Sequence, residues 1–294
     1  DYVFIFPLGM GVAGAAWATV FGQFVSLFIA IGFHYFTNKE ISGHPKYKKP
    51  SWIIIKNIYQ IGISGAIMQA MLSVMMAGMN AILGAAKANL TILVGSFGIY
   101  YKIQQIALFS AFGLSNTIIS VLSFNYGMQD KKRVQEVIKH GIADTLIVTL
   151  AIAVLFECIA NPLSRLFAIS QDASSELISV CETATRIGAA SFVFMGFTVA
   201  VQGVLQAFGY AIKPLILSVL RLAVFVFPTA YVFTLFDGVT QNVWWTFLIA
   251  ELLTDVVSFV FLRIAIKKKV NAIDDEQDAI PMQNDEVKRE KNRA

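Results

Sequence analysis

Two carboxylates, Glu251 and Asp255, stand four residues apart inside the last apolar run of the chain. On a helix that spacing puts both on one face, one turn apart. Their like charges repel at low dielectric, so the pair needs a cation such as Arg263, or a bound ion, to compensate it. Ion coupling requires an acid that alternates between cation-bound and free states, so Glu251 and Asp255 are the ion-coupling candidates. A second set of embedded polar residues comprises Gln69, Asn80, Lys102, Gln104, Gln202, Gln206 and Arg221. Such groups are costly at membrane depth and are functional candidates by default, here for a substrate pathway. Gln202 and Gln206 also share a helix face, and like Gln69 they either line a cavity or bond between helices. Arg221 either snorkels to the membrane interface or pairs with an acid of a neighbouring helix. Lys102, among Tyr100, Tyr101 and Gln105, either snorkels beside a tyrosine belt or charges a cavity.

Covalent and metal chemistry have no support. Cys158 and Cys181 are the only cysteines, without Cys-x-x-Cys spacing, and read as two buried free thiols. His34, His44 and His140 are isolated at expected helix ends. Asp144 and Glu157, near opposite ends of their span, read as interfacial. No catalytic residue, metal or cofactor is expected, and the protein is not an enzyme.

The elements that must position these side chains are membrane helices. The chain has 294 residues, 56% hydrophobic and 14% charged, where a soluble domain carries about 25% charged residues. Its net charge of +4 is no nucleic-acid footprint, because the cations sit in short segments between apolar runs. A hydrocarbon core of about 30 Å takes about 20 apolar residues per helix. Seven spans of that kind are expected, over 11–34, 58–84, 92–124, 141–161, 178–209, 214–236 and 243–266. Residues 267–294 mix acids and bases with little apolar content and are expected to be a disordered tail. The chain opens at Asp1 without Met or leader, which reads as a fragment.

Lys and Arg set the topology. Connection 37–57 carries Lys39, Lys46, Lys48, Lys49 and Lys56; Lys131, Lys132, Arg133 and Lys139 follow the third span; Lys213 and Lys267 to Lys269 follow the fifth and seventh. The alternate connections hold Lys87, then Arg165 with Asp172 and Glu176, then Asp237 alone. All basic connections fall on one side if the spans alternate, so that side, with the C-terminus, is expected in the cytoplasm. Trp244 and Trp245 then suit the outer aromatic belt.

The stretch 112–139 is the most specific. Small residues with Asn116 and Thr117 suit close, hydrogen-bonded helix packing. Then Phe124-Asn125-Tyr126-Gly127 stops the helix before Lys131, Lys132 and Arg133. This run resembles the end of the eighth helix in the MATE (multidrug and toxic compound extrusion) family of drug/cation antiporters, in a bacterial branch. Gln202-Gly203-Val204-Leu205-Gln206-Ala207-Phe208-Gly209, then Arg221 and Pro228, matches a second signature of that family. Trp17, Gln23 and Lys39 recur at identical spacing as Trp245, Glu251 and Lys267, as related helices of repeated transporter halves do.

The resemblance implies an all-α integral membrane protein: helix six plus the six-helix C-terminal lobe of a twelve-helix transporter. The implied domains are a last N-lobe helix at 1–36, a basic linker at 37–57, the C-terminal lobe at 58–266 and the tail at 267–294. The implied function is antiport of amphipathic or cationic organic compounds against H⁺ or Na⁺, by a monomeric transporter of the plasma membrane. The family's seventh helix often has a kinking Pro where Ser64 stands here. One family branch binds the coupling ion with acids that align near Leu72 and Met195. Neither residue can ligate a cation, so the coupling acid is expected in the first five helices. Two other readings remain open. A lipid-linked oligosaccharide flippase of the same superfamily needs a strongly cationic cavity, for which only Lys102 and Arg221 offer. A seven-helix receptor or light sensor fits the helix count but lacks an embedded Lys in its last helix.

This topology predicts the outcome of single-cysteine labelling in intact cells. A cysteine replacing Lys87 should react with an impermeant maleimide, whereas replacements of Lys46 and Lys132 should react only after permeabilisation.

Overall fold

The computed structural model describes residues 2–5, 7, 9–37, 50–86, 90–169 and 175–273. Among these, all regular structure is helical: α1 Tyr2–Ile5, α2 Gly11–Thr37, α3 Trp52–Gly84, α4 Leu90–Gly127, α5 Lys131–Ile169, α6 Ser175–Ala207, α7 Ile212–Val219, α8 Phe227–Thr234, α9 Val239–Asn242 and α10 Trp245–Ala265. Two π-helical segments, Leu220–Val226 and Ile266–Val270, follow α7 and α10. Lys39, His44, Lys46, Lys48, Lys49, Lys87, Asp172 and residues 274–294 lie outside the described residues.

Six described helices are long and apolar enough to cross a membrane: 11–37, 62–84, 91–127, 131–166, 175–207 and 212–234. The expected seventh span is a 21-residue helix, α10, which carries Glu251, Asp255 and Arg263; it is not among the six. The chain divides into two compact units, 1–56 and 57–294. In the first, the Met10 N–H donates to the Phe4 carbonyl and turns α1 into α2.

The second unit is built around α6. Of its apolar window 72% is buried, against 17–33% in the other four spans of that unit, so α6 is the central helix. Helices α4, α5 and α10 pack on it. Between helices in lipid, close approach of small residues takes over from the hydrophobic effect. The Tyr100 ring of α4, wholly buried, covers Gly188, where a Cβ would lie 2.7 Å from Cζ and 2.8 Å from Oη. Gly203 does the same for α4 one end further along, against the Ser115 carbonyl. Gly209 is not a packing site: it has φ +77° and nothing within 4 Å of where a Cβ would sit. It ends α6, with Tyr210 N–H bonding the Leu205 carbonyl at 3.0 Å.

Two apolar clusters fill the unit, one at each end. The first holds Phe97, Tyr100, Phe192, Met195, Trp244 and Phe247, with Tyr100 and Phe247 centroids 4.8 Å apart. The second holds Leu122, Val134, Val204, Leu217, Leu262 and Val270. Trp244 is therefore a core residue, wholly buried with its Nε1–H on the Thr240 carbonyl, and only Trp245 is exposed as a belt residue would be. The expected tail begins later than position 267, since Val270 and Ile273 are buried in the second cluster.

Helix α4 ends at Gly127, where the sequence indicates a stop, but the left-handed residue of the turn is Gln129. Asp130 caps α5 by accepting the Arg133 N–H at 3.0 Å. The connections after the third, fifth and seventh expected spans meet here. Lys213 Nζ lies 3.7 Å from the Tyr210 ring centroid, and Lys269 Nζ lies 5.9 Å from that ring and 5.7 Å from Tyr126.

Because Tyr100 occupies the space a side chain at 188 would need, Gly188→Val should destabilise the unit by about 1–3 kcal/mol. Thermal unfolding in detergent checks this, and in a double-mutant cycle Tyr100→Ala should cost less in the Gly188→Val background than in the unaltered chain.

Candidate functional site

Between the two apolar clusters every helix of the α6 bundle turns polar at one level. Helix α4 contributes Ser115, α5 contributes Thr145 and Thr149, α6 contributes Thr198 and Gln202, α7 contributes Ser218, and α10 contributes Glu251, Thr254, Asp255 and Ser258. Thr145, Thr149 and Thr254 bond carbonyls of their own helices. The others bond across helices. Ser115 Oγ donates to the Val199 carbonyl at 3.0 Å. Gln202 Nε2 donates to Ser218 Oγ at 3.0 Å and to the Pro214 carbonyl at 3.3 Å. Thr198 donates to Asp255 Oδ1 at 2.7 Å and lies 3.3 Å from Ser258 Oγ.

The charge pair of this layer is Arg221 with Glu251, Nη2 on Oε1, with side chains 14% and 2% exposed. Arg221 therefore pairs with an acid rather than snorkelling. It also replaces the expected compensator, because Arg263 stacks over Phe259 at 5.0 Å instead. Pro228 explains how Arg221 is displayed. Proline removes a helix N–H, and the ladder upstream widens into the π segment 220–226, where the Phe227 N–H reaches the Leu222 carbonyl. Arg221 is the second residue of that segment.

Arg221 also faces a cavity of about 350 Å³. Gln69, Gln202 and Gln206, with Ser115, Asn116 and Ser218, supply its other polar groups. Met68, Met71, Leu72, Met75, Phe109 and Phe112 supply apolar walls. Four of the seven substrate-pathway candidates thus share one cavity, and Gln202 both lines it and bonds between helices. Three methionines of α3, Met68, Met71 and Met75, line it, while Met79 of the same helix is core. A neighbouring cavity of about 330 Å³ is shared by Gln206, Ser64 and Met68. Helix α3 continues unbroken through Ser64, whose hydroxyl donates to the Ala211 carbonyl.

Three candidates do not reach the cavity. Lys102 is exposed, on the far side of α4 from the buried Tyr101 and Gln104. Gln104 is 2% exposed inside the bundle, with Nε2 unpartnered among the described residues. Asn80 is half-buried and its Oδ1 is likewise unpartnered. A one-residue offset corrects the packing expected at 116–117: Ser115 makes the interhelical bond, whereas Thr117 bonds Gly113 of its own helix. Of the positions aligned with the ion-binding acids, Leu72 lines the cavity and Met195 is wholly buried core. Cys158 is exposed and Cys181 buried, both free.

Arg186 escaped the sequence reading. It bonds Glu157 at 2.7 Å and Glu182 at 3.0 Å, and Glu182 accepts from Asn161 at 2.6 Å. The i,i+4 spacing of Glu182 and Arg186 was the available signal.

The chain matches the MatE family model over residues 63–232, more than half of its 294 residues and all of the cavity lining. It belongs to the MatE family. Among curated relatives, the multidrug export protein MepA of Staphylococcus aureus is 24% identical over 265 residues, and that of Staphylococcus saprophyticus is 26% identical over 267. Each alignment covers 90% of this chain and 56% of the relative, so the chain spans about half the length of these relatives. The fold is shared with a MATE crystallised in complex with MaL6, at TM-score 0.82 and 24% identity over 93% of this chain and 60% of that one. An outward-facing multidrug resistance MATE transporter of the MOP superfamily gives the same TM-score and identity, covering 93% and 59%. MatE relatives are transporters of membranes rather than enzymes, and this chain with its apolar helices is a multi-pass membrane protein of that family.

Removing Arg221 alone leaves Glu251 buried without its counter-charge. Arg221→Met should therefore cost about 3–5 kcal/mol, and Arg221→Met with Glu251→Leu should recover most of it. Thermal unfolding of the three proteins in one detergent measures both numbers.

Proposed function

We propose that this chain is helix six and the C-terminal lobe of a twelve-helix plasma-membrane antiporter that exports amphipathic organic compounds, cations among them, in exchange for H⁺ or Na⁺. The family match over 63–232 carries the reading. The seven expected spans would be helices six to twelve, with α7, the π segment and α8 together forming the eleventh. Domain limits would follow the sequence except at the last boundary: helix six at 1–36, linker at 37–57, lobe from 58 through the buried Ile273, and tail beyond. The basic end, where Lys213 and Lys269 share the Tyr210 ring, would face the cytoplasm. Substrate would sit in the cavity of Gln69, Gln202, Gln206 and Arg221, closed by the other lobe as the two halves rock. The transporter would act as a monomer.

The coupling ion would bind elsewhere in the transporter. No carboxylate lines the cavity, and the aligned positions Leu72 and Met195 hold no ligand atom suited to a cation. Glu251 is already occupied by Arg221, and Asp255 by the Thr198 hydroxyl. Binding of the ion in one conformation would bias the exchange between the two.

Export of an amphipathic fluorescent cation from cells expressing the complete transporter, under an imposed H⁺ or Na⁺ gradient, tests the reading. Export should depend on one of these gradients. Glu251→Gln and Asp255→Asn should each lower it only partly; loss of both transport and ion-driven conformational change, with expression intact, would move the coupling site onto α10.

A further inference from the structure

We propose that the cavity at Arg221 seats the oxyanion end of its substrates, and that this anion binds together with a proton taken up by Glu251. The inference rests on the reading above, that this cavity holds an organic substrate, and names the class of group that it selects. Arg221 is the one ionised side chain in the cavity lining; no acid faces it. Glu251 lies behind Arg221, away from the cavity, so the pair presents its positive end to the substrate. The pair is incompletely satisfied. Among the described residues the buried Arg221 Nε and Glu251 Oε2 have no partner, so this is a one-point contact where a guanidinium can make a two-point fork, and the substrate meets the part of the guanidinium that lines the cavity. Gln202, beside it, already spends its amide N–H on Ser218 and Pro214.

The charge balance dictates the proton. Arg221 and Glu251 are together neutral, and an added oxyanion would leave one uncompensated negative charge in an apolar bundle. Such a charge is too costly to persist, and a proton on the displaced carboxylate removes it. The groups near enough to compete are Asp255 one turn further on α10, Tyr100 from α4 and Arg221 itself. Asp255 already has the Thr198 hydroxyl as a partner. Glu251, with Oε2 free and its sole partner drawn toward the substrate, takes it. This proton binds together with the substrate rather than in competition with it, and so is distinct from the exchanged ion. The walls of Met68, Met71, Phe109 and Phe112 set the other half of the class, an apolar body. A substrate's cationic end would be met outside this lobe.

Three probes with one naphthyl body, ended by a sulfonate, a neutral sulfonamide or a trimethylammonium group, decide the matter. Their binding to the full chain in nanodiscs is measured at about pH 6 and pH 8, against empty nanodiscs. The sulfonate stays ionised throughout. It should bind best, and its affinity should rise as pH falls, by at most about tenfold per unit for one linked proton. Glu251→Gln should abolish that pH dependence and tighten sulfonate binding at pH 8. Arg221→Gln should lower the sulfonate-to-sulfonamide affinity ratio by about tenfold or more, the worth of a charged hydrogen bond. If folding suffers in either variant, the pH dependence of the unaltered chain still decides. A pH-independent sulfonate affinity, or a preference for trimethylammonium, overturns the proposal while leaving the export reading standing. Failure of all three probes to bind overturns both.

Discussion

A charge inside an apolar bundle must be matched inside that bundle, and Arg221 with Glu251 is the match on which the polar layer depends. Around it Thr198 meets Asp255, Gln202 meets Ser218, and Ser115 meets the Val199 carbonyl. Apolar side chains in lipid gain little from one register over another, because lipid tails are as apolar as leucine. The layer supplies what they lack. Sliding α10 by one turn, about 5.4 Å, would unpair Arg221 and Thr198 together. The layer thus fixes the heights of α4, α6, α7 and α10, and the clusters on either side pack at the heights so fixed.

The same interaction explains a local irregularity. An ordinary α-helix through 220–226 would close its ladder up to the point where Pro228 lacks an N–H. The π segment widens the turn instead, and Arg221 at its start reaches Glu251 while one edge still faces the cavity. A family signature of Arg followed seven residues later by Pro therefore has a physical content: the proline shapes the turn that presents the arginine.

Spacing along one helix was legible in the sequence; facing between helices was not. The i,i+4 relation of Glu251 and Asp255 and that of Gln202 and Gln206 could be read directly, as could the helix stop at Gly127 and, to within a few residues, most limits of the apolar runs; the span expected at 141–161 is a longer helix, Lys131–Ile169, because its charged first turns are helical too. The partner of Glu251 could not, since Arg263 on the same helix and Arg221 on the previous one are equally available to a reader of residue types. Each residue step turns a helix by about 100°, so the interhelical bond of Ser115 was assigned one position late. The same step separates buried Trp244 from exposed Trp245, and exposed Lys102 from its buried neighbours. Arg186 sat among residues read as interfacial, and its i,i+4 acid went unweighed against the more deeply embedded pair.

A layer locked by hydrogen bonds cannot reshape itself around different substrates without leaving polar groups unpaired, at a cost of about 1–3 kcal/mol each. Any adaptable wall of the cavity must therefore lie outside the layer. Helix α3 is that wall. Its described ties to the bundle are the Ser64 hydroxyl on the Ala211 carbonyl, the Tyr101 hydroxyl on the Leu72 carbonyl at 3.0 Å, and packing by Met75, Met79 and Leu83 toward one end. Its cavity face is Met68, Met71, Leu72 and Met75 with Gln69. Thioether side chains repack through several rotamers without breaking a hydrogen bond. One side of the cavity is thus rigid, charged and fixed in register, and the other is soft. Under the proposed export reading, that division would let a single arginine orient a polar group while the opposite wall accommodates bodies of different shape.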